Sequence, residues 1–130
     1  MKKTISIDGR RIYDIKSFYD EINQVFMNGV DWKLGQSLDA FNDMLHGGYG
    51  VIEGDEPIDL IWIGFEKNRN DLGSELTKSY YLDKLDQPSK FNIPWVKEKL
   101  KELENGTGKT YFEIILEIIS DHQNINLIRR

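Results

Sequence analysis

The chain predicts an α/β fold in two layers, a three-stranded parallel sheet with helices packed against it, as a single domain over 1–130. Three observations carry this expectation. Short runs with strand patterning stand near the N-terminus, in the middle and at the C-terminus, at 4–7, 58–65 and 125–128. The segments between them repeat apolar residues at helical spacing. Strands separated by helices favour parallel pairing with right-handed crossovers. With 130 residues, 39% hydrophobic and 30% charged, the chain has enough apolar material for one core and the composition of a folded protein.

Each element has a local reason. Ile5 and Ile7 alternate with Ser6 and Asp8, as a half-buried strand requires, and Asp8-Gly9 reads as a turn. A helix over 14–27 carries the apolar stripe Phe18, Ile22, Val25 and Phe26, and Ser17 with Asp20 resembles a capping box; Asn28-Gly29 ends it. A loop over 30–36 leads to a short helix capped by Ser37, closed by Gly47-Gly48-Tyr49-Gly50 as a flexible turn. The run 58–65 is so apolar that it reads as a central strand buried on both faces, with Trp62 in the core. A helix over 72–85 turns Leu72, Leu76, Tyr80 and Leu85 inward. Pro94 fits the first turn of a helix over 94–104, where Val96, Leu100 and Leu103 align and Trp95 is partly exposed. The helix over 110–121, capped by Thr107 or Thr110, is the most apolar; Phe112, Ile114, Ile115, Leu116, Ile118 and Ile119 cover more than one face and predict a deep position. Ile125 to Ile128 forms the last strand. The predicted order is strand, two helices, strand, three helices, strand.

Composition excludes several functions. The net charge of −5 disfavours nucleic acid or an anionic membrane as partner and suits a basic protein. The absence of cysteine removes disulfides, thiolate metal sites and a Cys nucleophile. No apolar run approaches the ~20 residues that span a bilayer, and the N-terminus has strand patterning in place of a leader, so the expected compartment is the cytoplasm. Gly106-Thr107-Gly108-Lys109-Thr110 resembles the end of a phosphate-binding loop, but Leu103 stands where the motif needs glycine and a helix precedes it where a strand is required. His46 and His122 have no metal-ligand spacing. Glu53, Asp55, Glu56 and Asp59 lack the glycine pattern of a calcium loop and read as a solvated segment. The expectation is no metal, no cofactor and no catalytic residue.

The chemistry concentrates in Leu34-Gly35-Gln36-Ser37-Leu38-Asp39-Ala40-Phe41-Asn42-Asp43-Met44-Leu45. Leu38, Phe41 and Leu45 share one helical face, and Asp39 and Asp43, at i and i+4, share another. Like charges so placed repel by a few tenths of a kcal/mol, about 0.2–0.5. Their retention suggests negative charge aimed at something positive, although aspartate near a helix N-terminus is also favoured by the dipole alone. The segment resembles the recognition helix of the barstar family, intracellular inhibitors of barnase-type ribonucleases, whose pattern is Gly-x-Asn-Leu-Asp-Ala-Leu-x-Asp-x-Leu. Ser37 replaces Asn and Phe41 replaces Leu. The resemblance extends to the strand and helix before the motif, the apolar strand after it and the helix-strand unit at the C-terminus. The region 67–108 is longer than in compact members and reads as an insertion.

The resemblance implies an inhibitor, not an enzyme, that occludes a basic ribonuclease or related toxin nuclease by offering carboxylates in place of phosphate. Asp39 and Asp43 match the family's two acidic positions, and Asp43 the one that enters the nuclease active site. Gly35 matches the glycine before the helix, and Glu117 a further acidic contact, with Asp121 one turn later. Asn42 stands where the family commonly carries Trp between the aspartates. The Trp that follows the helix falls on Gly48, beside Tyr49. Trp32 and Tyr49 are then the substitute aromatic anchors, and the expected partner is not barnase itself. Two other functions remain open: an interaction module that binds a non-nuclease through 67–108, and a hydrolase using Asp39 and Asp43 as acid and base. The oligomeric state is not legible.

Overall fold

A computed structural model describes residues 2–130. The chain runs through β1 (Lys3–Asp8), a 3-10 turn (Gly9–Arg11), α1 (Ile15–Phe26), α2 (Leu38–Leu45), β2 (Ile58–Ile63), α3 (Phe65–Asp71), α4 (Ser74–Leu85), α5 (Ile93–Glu104), α6 (Tyr111–Ser120) and β3 (Ile125–Arg129). The strands form one parallel sheet in the order β1-β2-β3, with Ile5 opposite Leu60 and Leu60 opposite Leu127. The α/β class and the three-stranded parallel sheet are as the sequence predicts.

The sheet buries one face. Ile5, Ile7, Ile58, Leu60, Trp62 and Ile125 point into the core. On the other face Thr4, Ser6 and Asn126 are exposed and Ile61 and Ile128 half-buried. The central strand is therefore not buried on both sides, which corrects the sequence expectation. The structure instead alternates, and a polar row in which Lys2 and Asn126 both bind Asp59 crosses the open face. Trp62 is fully buried as predicted. Its ring meets Phe18, Phe65 and Phe112 at 6.1, 5.8 and 5.4 Å between centroids, contacts worth ~0.5–1.5 kcal/mol each beyond simple burial. Its indole N–H donates to Asn68 Oδ1 (2.7 Å), and the Asn68 amide N–H groups donate to the carbonyls of Gly9 (3.0 Å) and Ile12 (3.2 Å).

Asn68 belongs to a helix the sequence reading missed. β2 stops at Ile63; Gly64 takes a left-handed φ of 75°, and α3 begins at Phe65. The helix expected over 72–85 thus starts at Ser74, because Leu72 caps α3 and Gly73 separates the two. Four helices, not three, link β2 to β3. Leu72 is buried all the same, whereas Leu85 is only half-buried and Tyr81 takes the inward place.

Caps were partly legible. Ser37 accepts from Ala40 N–H, Thr110 forms a capping box with Glu113, and Pro94 lies in the first turn of α5. In α1 the box pairs Asp14 with Ser17, one turn earlier than the Ser17–Asp20 pair expected. The hydrogen bonds that Ser17 gives hold the Asp14 carboxyl below its usual range. α6 turns Tyr111, Phe112, Ile115 and Ile119 inward, with Ile114, Leu116 and Ile118 half-buried, so it lies at the core's edge and not deep within it. The Tyr111 hydroxyl meets that of Tyr19 at 2.7 Å, a buried link between α6 and α1. Burial pushes the Tyr19 hydroxyl up to about 12 and raises Tyr111 further, so both stay protonated.

α4 and α5 form a helical hairpin, and α5 packs mainly on α4. α4 stays on the body, with Leu76 and Tyr80 packed against the core and the Tyr80 ring 5.1 Å from that of Tyr111; the Phe112 N–H donates to the Leu72 carbonyl (3.0 Å). The Tyr111 N–H similarly donates to Thr77 Oγ1 (2.8 Å).

Candidate functional site

α2 is fixed from behind and open in front. Phe41, Met44 and Leu45 are fully buried, while Asp39, Asp43 and His46 form an exposed stripe at i, i+4 and i+7. Among the described residues, neither Asp39 nor Asp43 lies within 4.0 Å of a cationic side chain, and neither accepts a side-chain hydrogen bond. Lys33 in particular does not neutralise them. Asp39 sits in the first turn, where the helix dipole favours its charge.

The segments on either side of α2 are anchored. Before it, the Asn23 side chain on α1 accepts from Leu34 N–H (2.7 Å) and donates to Leu34 O (3.2 Å), holding the loop that carries Gly35. A Cβ at Gly35 would meet nothing within 4 Å, so the fold does not require glycine there and the backbone is open to approach. After α2, the turn is pinned and not flexible as its glycines suggested. Gly47 has φ 82°, and a Cβ on it would fall 2.2 Å from the Gly54 carbonyl oxygen. Gly54 N–H donates to Gly47 O (2.8 Å), and Val51 N–H to Phe26 O (2.8 Å).

That pinned turn places the aromatic candidates. The rings of Trp32 and Tyr49 pack at 4.8 Å between centroids, and Trp32 remains 46% exposed. Burial raises the Tyr49 hydroxyl's pKa, and the nearby Asp43 carboxylate adds to the effect, so Tyr49 borders the acidic stripe. Asn42 faces inward, where His122 Nε2 donates to its Oδ1 (2.8 Å). His122 follows α6, and its ring meets that of His46 edge-on at 4.7 Å. Burial lowers the His122 pKa, the neighbouring His46 lowers it further, and Asp121 opposes both. Glu117 stands apart on α6, exposed and ion-paired with Lys109. It is reached from Leu38 at the start of α2 across a groove that both residues line.

The structure thus groups Asp39, Asp43, Tyr49 and Trp32 around one exposed face, sets Asn42 behind it and leaves Glu117 across a groove. Sequence reasoning missed the supports, Asn23 and His122. Asn42 and His122 are far apart in the chain, and no short-range pattern marks their pairing. Chemically, two unpaired carboxylates one turn apart on a rigid helix can accept charge-assisted hydrogen bonds from guanidinium or ammonium groups. They stand on an open face and not in a pocket, which suits binding better than acid-base chemistry.

Among the described residues no helix is long and apolar enough to cross a membrane. Comparison with curated proteins finds no significant match. Residues 2–87 match the family described as Barstar (barnase inhibitor), a span that includes every element from β1 to α4 and the whole acidic face. α5, α6, β3 and Glu117 lie beyond it. The fold, the acidic helix and this match agree, and the chain belongs to the barstar family.

Proposed function

We propose that this chain inhibits a basic ribonuclease or related toxin nuclease by laying α2 across the active site, with Asp39 and Asp43 in the place of substrate phosphate. The family is one of ribonuclease inhibitors, which supports the general role. The observation that carries the specific reading is the bare pair of carboxylates on a helix whose other face is locked into the core. A nuclease that holds phosphate with Arg, Lys and His offers the matching donors, and Arg–carboxylate pairs are short and often bidentate. Because α2 is already ordered, binding loses little conformational entropy. The net charge of −5 speeds encounter with a basic enzyme. Trp32 and Tyr49 supply the aromatic anchor beside Asp43, Asn42 holds the helix roll through His122, and Gly35 admits close backbone approach. Glu117 contributes at the periphery after leaving Lys109. The inhibitor performs no chemistry, needs no cofactor and works in the cytoplasm of the cell it protects.

The test is a pull-down from cells of the source organism with wild type and Asp43→Ala, followed by ribonuclease assays on what is captured. Capture of a basic ribonuclease by wild type alone, with its activity suppressed, is the expected result. Equal capture by both proteins, or a partner without nuclease activity, sinks the proposal.

A further inference from the structure

The groove between the α4–α5 hairpin and the α2–α6 face has a volume of about 380 Å³. Leu38 and Glu117 line it from the body, and Tyr81, Trp95, Lys99 and Glu102 from the hairpin. Trp95 packs edge-on against Tyr81 at 6.0 Å yet remains 48% exposed. Lys99 Nζ lies 5.4 Å from the centre of the Trp95 ring and 3.3 Å from Glu102 Oε1. An aromatic face and a carboxylate thus converge on one cation, which the chain supplies itself. Burial raises the pKa of the Tyr81 phenol, with smaller contributions from Tyr80 and then Glu102.

We propose that this is a cation slot filled by Lys99 in the free chain and taken over, in the complex, by an arginine side chain of the same nuclease. The proposal rests on the inhibitor reading for its partner and extends it to a second contact. Three features favour arginine. Its planar guanidinium stacks on Trp or Tyr and can still pair bidentately with a carboxylate, which the hydrated ammonium of lysine does less well. The exchange needs no unpaired charge in either state, because Lys99 returns to water as arginine enters. The groove adjoins the acidic face, since Leu38 immediately precedes Asp39; on its far side Glu117 is paired with Lys109, which also lines the groove, so Glu102 is the carboxylate that the arginine meets. An enzyme basic enough to meet Asp39 and Asp43 would present its flanking cations here. Of the hairpin wall, Tyr81 lies within the residues that match the family and Trp95, Lys99 and Glu102 lie beyond them, so the cation-holding part of the slot is a feature through which this chain selects its own nuclease.

The slot can be tested without the nuclease. The chain is titrated with N-acetyl-arginine amide and, separately, N-acetyl-leucine amide, and the indole N–H resonances of Trp95 and Trp32 are followed by NMR. The arginine compound alone shifts Trp95 and leaves Trp32 in place. Lys99→Ala tightens that binding by about threefold and Glu102→Gln weakens it by a similar factor, as a cation–π contact with a paired carboxylate requires. An equal shift from the leucine compound, or no tightening in Lys99→Ala, overturns the slot. Inhibition of the ribonuclease captured by wild type then supplies the second arm. Trp95→Ala weakens inhibition by about tenfold, the lower range of an interface anchor. Asp43→Ala failing while Trp95→Ala inhibits like wild type removes the groove contact and leaves the inhibitor reading intact. Asp43→Ala inhibiting like wild type while Trp95→Ala fails removes the phosphate-mimic reading and leaves the groove as the main contact.

Discussion

α2 and the α4–α5 hairpin both present charge to solvent, but they handle it in opposite ways. α2 buries Phe41, Met44 and Leu45 completely and leaves Asp39 and Asp43 bare. The hairpin buries little in the central core, and several of its cations are already engaged. Lys84 sits 4.4 Å from the ring centres of both Tyr80 and Phe91, and Lys99 is held by Trp95 and Glu102. The contrast shows that exposure alone is a poor mark of a binding surface. A charge that the fold has fixed and left without a partner meets a ligand directly, whereas an engaged charge such as Lys99 opens its site only by leaving it.

The strongest way to break this comparison is to truncate one bare carboxylate and one hairpin carboxylate. Asp43→Ala should weaken inhibition of the captured ribonuclease by about 2–5 kcal/mol, since it strands the enzyme's cations. It should raise the melting temperature slightly, because Asp43 makes no ion pair in the free chain and its removal relieves the repulsion with Asp39. Glu98→Ala, exposed on α5, should change neither. Equal losses from the two, read by inhibition constants, would erase the distinction.

Changes behind each surface act on stability and not on binding. Phe41→Ala should cost about 3–5 kcal/mol of global stability in urea unfolding, as expected for a large aromatic deleted from a packed core. Val96→Ala, buried between the hairpin helices, should instead lower hydrogen-exchange protection across α4 and α5 while the sheet amides hold theirs. Loss of protection in β1 and β2 as well would show that the hairpin is part of the cooperative core.

Asn68→Ala offers a reference outside both regions. It leaves the Trp62 indole N–H without its partner and removes one of the two donors that the Gly9 and Ile12 carbonyls each have, and should cost about 1–3 kcal/mol in urea. Inhibition by the protein that remains folded should not change.

The smallest effect is that of pH. His122 has a folded pKa below its unfolded value of 6.5, mainly through burial and then through His46. The unfolded chain therefore binds more protons between the two values, and stability rises with pH there. The contribution is complete above the unfolded value and is lost as pH falls through the window beneath it. His122→Gln should flatten unfolding free energy against pH in that window. A second loss at lower pH should remain, because Asp14 is held below its ordinary 3.8 by its hydrogen bonds from Ser17. An unchanged profile in His122→Gln would remove His122 as the source of the first loss.

How far the sequence reached follows from the range of each interaction. α2 was legible because its cap, its buried stripe and its acidic stripe all lie within a few turns, where helical spacing decides contact. α3 was not. Its sequence, Phe65-Glu66-Lys67-Asn68-Arg69-Asn70-Asp71, carries only one apolar residue, and the residue that faces inward with Phe65 is Asn68, buried by its bonds to Trp62, Gly9 and Ile12. An amphipathic pattern made by a hydrogen-bonded asparagine is invisible to a hydrophobicity count. The sheet was misread on one point for a related reason. Ile61 and Ile63 made β2 look buried on both sides, but a three-stranded sheet with helices on one side leaves its outer face to whatever side chains stand there. At the site, Asp39 and Asp43 were readable from spacing, whereas the contacts of Asn42 with His122 and of Trp32 with Tyr49 exist only once the chain has folded back on itself.

The bond from Phe112 N–H to the Leu72 carbonyl has a practical meaning for engineering. The excursion through 73–109 begins and ends at neighbouring points; α4 within it packs Leu76 and Tyr80 on the core and holds Tyr111 N–H through Thr77, so the part beyond α4 is the exchangeable one. Closing a long loop costs only slightly more than closing a short one, about 0.6 kcal/mol per doubling of length. Lineages could therefore lengthen, shorten or exchange this segment while the acidic helix and the sheet kept their scaffold. A library of such segments joined between Leu85 and Thr110, which keeps α4, the α6 cap and Tyr111, would be the natural starting point for redirecting the inhibitor from one enzyme to another.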